Sequence, residues 1–143
     1  MMYYKKVILF LLVFFAAFSI FCDEKLVNTE DRNKDNKPDR WTYLKPDGGL
    51  IVKSDNNYDE IVDYILETDK MGNKVYEEMD FNYDGKMDNF YYYQNGVFVR
   101  QEIDSNFDGN IDIWVYLEKG MYITKIERDK NHDGVIDYVK KYK

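Results

Sequence analysis

Apolar residues in this chain come in runs of about five to eight, each closed by a polar break. Runs of that length, rich in β-branched and aromatic residues, predict strands rather than helices. "EKLVNT", "LIVK", "KVYEE", "VFVRQEI" and "YITKIE" are such runs. Two kinds of break separate them. One is a short turn, "KPDGG", "DKMGN", "QNG" or "EKG", in which Gly48, Gly72, Gly96 and Gly120 recur every 24 residues. Glycine there supplies the positive φ that tight hairpins need. The other break is a nine-residue acidic segment. It begins at Asp31, Asp55, Asp80, Asp104 and Asp129, so its five copies lie 24, 25, 24 and 25 residues apart. A fixed period of this length marks a repeat architecture. Two apolar columns run through it: Pro38, Val62, Met87, Ile111 and Ile136 just before the ninth position, and Trp41, Ile65, Phe90, Trp114 and Val139 two residues after it. Three residues apart on an extended strand, they point to opposite faces, one anchoring the loop and the other packing on the sheet. The unit is therefore loop, strand, Gly turn, strand. Five units predict an all-β fold, an antiparallel meander of about ten short strands with every acidic loop along one edge. A curved, partly closed sheet is the expected way to cover its aromatic rungs.

The acidic segments carry the candidate chemistry. "DSNFDGNID" shows the pattern in full: Asp104, Asn106 and Asp108 alternate at the first, third and fifth positions, and Asp112 stands at the ninth. If the chain curls around a point these oxygens converge, Gly109 permits the sharp turn, and the carbonyl of Asn110 faces inward. The same positions hold Asp31, Asn33, Asp35 and Asp39; Asp55, Asn57, Asp59 and Asp63; Asp80, Asn82, Asp84 and Asp88; and Asp129, Asn131, Asp133 and Asp137. Of the 18 aspartates, 15 fall at positions one, five and nine; turns alone would scatter them. An all-oxygen set with three negative charges suits Ca²⁺ better than zinc, copper or magnesium. The loops from Asp80, Asp104 and Asp129 carry the sixth-position glycine. Asn36 replaces it in the first and tolerates the left-handed conformation; Glu60 replaces it in the second and fits it poorly, so that loop is expected to bind weakly or not at all. The alternative is a set of Asn/Asp/Gly turns that cap hairpins without metal. His132, the only histidine, sits at a fourth position and is expected to be solvated.

D-x-N-x-D-G-x-x-D resembles the calcium loops of EF-hand proteins and dockerins, and most closely the hairpin version found in the FG-GAP repeats of integrin-like propellers. The resemblance implies a nine-residue loop between two strands, with the ninth Asp completing a calcium site. The twelfth position, Glu in EF-hands, is Thr42, Leu66, Tyr91, Val115 or Lys140 here. Propeller repeats are much longer than 24 residues. "YYQNG" and "YLEKG" resemble MORN-like hairpin repeats. These likenesses cover about a third of the chain.

The N-terminus changes where the chain is expected to work. "MMYYKK" followed by "VILFLLVFFAAFSIF" reads as a secretory signal over residues 1–22, leaving 23–143 as the repeat domain. Cys22, the only cysteine, follows the apolar run and resembles the acylated cysteine of bacterial lipoproteins; "AAFS" offers a competing cleavage site after Ser19. Export to a periplasmic or outer surface is expected, with a lipid anchor at Cys22 as the one membrane contact. From Cys22 on there are 27 acidic and 18 basic residues, a net charge of about −9 that argues against nucleic acid. Without a Ser/His/Asp set or a second cysteine the chain is not expected to be an enzyme. Three readings remain: a calcium-stabilised binding or adhesion module meeting a protein or glycan through its Tyr-rich sheet, an envelope spacer with no specific ligand, and a metal-free hairpin repeat.

Overall fold

A computed structural model describes residues 24–143; the signal segment and Cys22 lie outside them. Ten strands follow in chain order: β1 (Lys25–Glu30), β2 (Arg40–Leu44), β3 (Leu50–Ser54), β4 (Tyr64–Thr68), β5 (Lys74–Met79), β6 (Asn89–Gln94), β7 (Val97–Ile103), β8 (Ile113–Glu118), β9 (Tyr122–Arg128) and β10 (Tyr138–Lys141). All pair antiparallel in one sheet whose spatial order is the chain order. The expected meander is therefore what forms, and no helix stands among the described residues. Its acidic loops share one edge and its glycine turns the other. At the turn edge Asn95–Gly96 and Lys119–Gly120 both place two successive residues at positive φ, the combination that matches hairpin twist.

The expected partial closure does not occur: β1 and β10 are not bonded to each other, and the sheet stays open. The sheet is also a single layer among the described residues. Only Ile51 and Val52 are buried apolar side chains, so cohesion comes from the backbone ladder and from cross-strand pairs.

The register shows how two uncovered faces are tolerated. On one face Trp41, Lys53, Ile65, Glu78, Phe90, Glu102, Trp114, Glu127 and Val139 lie in a line across nine strands. Apolar groups come from strands leaving the loops and charged groups from strands returning to them. The neighbouring row is tyrosine-rich, and there cations cover the rings: Arg100 lies 4.0 Å from the Tyr92 centroid and Lys125 3.8 Å from that of Tyr116. Aromatic rungs stack less than the composition suggests, with Tyr76–Tyr92 at 5.2 Å the closest pair. On the other face Glu77, 5% exposed, accepts from the Tyr64 and Tyr93 hydroxyls and from Lys74 Nζ at 2.7 Å. Burial raises its pKa, but those donors outweigh it and hold the carboxyl below the usual range.

Candidate metal centre

Each loop folds by spending its own backbone amides on its aspartates. The first-position carboxylate accepts from amides three to five residues on: Gly109 N–H meets Asp104 at 2.7 Å and Gly134 N–H meets Asp129 at 2.7 Å. The fifth-position carboxylate accepts from the seventh residue, as Lys86 N–H to Asp84 at 3.0 Å. The ninth reaches back to the second and third: Phe81 and Asn82 N–H lie 2.8 and 3.3 Å from Asp88. The repulsion of three carboxylates is thus offset in part by oriented N–H groups. Curling this tightly needs positive φ at the fourth position as well as the sixth. Lys34, Tyr58, Tyr83, Phe107 and His132 all adopt it, a demand the glycine pattern did not reveal. Glu60 adopts φ 73 as well, and its N–H keeps the bond to Asp55 at 2.8 Å, so the second loop retains the shared fold despite its side chain.

Loops also cover one another. Asp55, Asp80, Asp104 and Asp129 each donate their N–H to the carbonyl of the preceding loop's ninth Asp at 2.8–2.9 Å. In consequence these first-position side chains are 2–4% exposed and Asp39, Asp63, Asp88 and Asp112 are 1–4% exposed. Asp31 has no described loop before it and Asp137 none after it; both are exposed.

Two of the five loops gather their three carboxylates. In Asp31–Asp35–Asp39 and in Asp80–Asp84–Asp88 one oxygen from each residue lies within 4.8 Å of the others. In the second of these, burial first and the neighbouring Asp80 and Asp84 charges after it raise the Asp88 pKa despite two backbone donors. That is the electrostatic condition a cation would relieve. Two of the remaining three triads are held otherwise. Asp63 accepts from Asn56 Nδ2. Asp112 accepts from Ser105 Oγ at 2.9 Å and meets His132 Nδ1 of the next loop at 2.7 Å. Burial raises the Asp112 carboxyl, but His132 and Ser105 together bring it below its ordinary value, and the same contact raises the His132 imidazole. His132 is exposed, as expected, and also bridges the two loops. Short polar residues at the second position, Asn56 and Ser105, were the overlooked signal.

The asparagines present their amide nitrogens to the fifth Asp: Asn33 to Asp35, Asn82 to Asp84 and Asn106 to Asp108 at 3.0 Å, Asn57 to Asp59 at 2.9 Å, and Asn131 to Asp133 at 3.1 Å. The Asn110 side chain likewise donates to Asp108, at 2.9 Å. Rotating the third-position amide exchanges nitrogen for oxygen and converts a donor into a ligand. The donor set, hard oxygens throughout, could hold a metal ion. Comparison with protein families, with curated proteins and with solved structures finds no match to the chain.

Proposed function

We propose that the protein is an exported β-repeat module whose acidic loop edge is stapled by calcium, and whose aromatic sheet face serves binding or adhesion at the cell envelope. The observation that carries the calcium reading is the convergence of Asp80, Asp84 and Asp88, with Asp80 and Asp88 almost fully buried and the Asp88 pKa raised. An isolated hairpin cap has no need to bury a carboxylate against two others. Calcium would join the first, third, fifth and ninth residues of a loop and supply the charge they lack. Extracellular sites of this type bind at about 10⁻⁴ to 10⁻³ M, so the ion acts as a structural part rather than a signal. The binding role rests on half-exposed Trp41, Phe90, Trp114 and their tyrosine neighbours on one face, a composition that suits a protein or glycan partner.

One observation favours a metal-free hairpin repeat instead: the backbone amides already engage most loop carboxylates. Thermal unfolding in chelator and in millimolar calcium separates the two. The calcium reading expects a substantially lower melting temperature in chelator; equal melts would leave the loops as turns.

A further inference from the structure

Among the described residues nothing pairs with the outer edge of β1 or of β10, so each end of the sheet carries unbonded backbone groups. The two ends are not alike. β1 runs into an acidic loop, as β3, β5, β7 and β9 do, whereas β10 runs out of one, as β2, β4, β6 and β8 do. Placing β1 of another molecule beside β10 would therefore continue the alternation without a break. We propose that a second copy of this chain docks its β1 against β10, head to tail, and extends the sheet.

Hydrogen-bond phase supports the pairing. The bond from Tyr142 N–H to Thr124 C=O, at 2.8 Å, sets Tyr138, Lys140 and Tyr142 as the residues bonded inward to β9. Val139 and Lys141 then turn their N–H and C=O groups outward. At the other end, Asp55 N–H bonds Asp39 C=O and Lys45 N–H bonds Gly49 C=O, so Trp41 bonds toward β3 and its opposite residue Thr29 faces outward. Within the molecule Trp114 pairs with Glu127 and Val115 with Ile126. The same offsets from the loops put Val139 opposite Thr29 and Lys140 opposite Asn28 of the second copy. The outward groups of Val139 and Thr29 meet in phase.

Two further observations agree. Asp31 and Asp137 are the exposed members of columns that are otherwise buried between neighbouring loops, and docking would give each the neighbour it lacks. The ends also carry opposite charge. Residues 138–143 hold Lys140, Lys141 and Lys143 and no acid, while residues 24–31 hold Glu24, Glu30 and Asp31 against Lys25. Pairing β10 with β10 would oppose lysines, so unlike ends are favoured. Such a contact is heterologous and propagates from copy to copy. Each copy would add ten strands to a ribbon, about 48 Å at the usual strand spacing. The inference does not depend on metal in the loops.

Disulfide trapping tests it. Full-length N28C and K140C chains with different tags are co-expressed and mildly oxidised. Their positions match the closely spaced, non-hydrogen-bonded pairs, within disulfide reach. A mixed dimer is expected well above the yield of chains carrying Cys22 alone, because only this pair lies within disulfide reach, while N28C with K141C, shifted to the opposite face, stays at background. Tryptophan emission like that of the parent shows that each variant is folded. Folded variants that give no mixed dimer, equal yields in and out of register, or a predominance of N28C–N28C dimers would overturn the proposal.

Discussion

Replacing Asp88 by Asn should change the sign of its effect on stability with calcium. The side chain is 1% exposed, and one oxygen from each of Asp80 and Asp84 lies within 4.8 Å of it. Its pKa is raised in the fold, by burial first. An acid whose folded pKa exceeds the unfolded value binds its proton more tightly when folded. Ionisation therefore costs stability: the cost is absent below the unfolded pKa and fully present once pH rises through the folded one. In chelator at pH 7, Asn removes that cost and still offers an oxygen to the Phe81 and Asn82 amides. The variant should match the parent or exceed it by up to about 1 kcal/mol. In calcium at about a hundred times the dissociation constant, an intact site adds about 2.7 kcal/mol. Losing the third loop's site should then leave the variant about 2 kcal/mol less stable. Urea unfolding followed by the emission of Trp41 and Trp114 reads both differences. Asp88→Ala, which also loses the acceptor for two N–H groups, should cost about 2 kcal/mol in chelator and about 2.7 kcal/mol more in calcium, where the site is lost as well. If Asp88→Asn costs the same in chelator and in calcium, the carboxylate is a loop staple and not a ligand.

Other positions test the fold around the loops. Glu60→Gly removes a side chain from φ 73 and should stabilise the protein by about 1 kcal/mol in urea unfolding. Gly49→Ala places a Cβ 2.2 Å from the Thr68 carbonyl oxygen, so β3 and β4 must separate at the turn edge, and a loss of about 1–3 kcal/mol is expected from the same measurement. Glu77 has a lowered pKa, so its contribution is present above the unfolded value of 4.5 and lost as pH falls through the folded one. An acid titration of stability should show that limb in the parent and a shallower one in Glu77→Gln.

The strands were legible because a simple period carries them. Gly96 and Gly120 mark turns, Trp41 and Trp114 mark strands leaving loops, and each run is too short for a helix. What the pattern could not convey was the shape of the whole sheet. Closure depends on whether β1 meets β10, and no local signal speaks to that. The loops were legible as clusters but not in their individual states. Whether three carboxylates converge turns on residues the pattern leaves open: His132 from the next loop takes Asp112, and Asn56 at a second position takes Asp63. Likewise the raised pKa of Asp88 comes from a burial that only stacking of adjacent loops creates. Left-handed residues at the fourth position, among them Tyr58 and Phe107, carry no compositional mark because neither is a residue that favours positive φ.

The most direct test of the central claim is isothermal titration of Ca²⁺ into the chelator-stripped protein, with the number of ions read from the stoichiometry. Calcium stapling predicts at least two ions per chain, at the loops from Asp31 and Asp80 where the carboxylates converge, and no more than one for each of the five loops. An absence of binding at millimolar calcium would contradict it and leave the fifteen aspartates as the framework of metal-free turns.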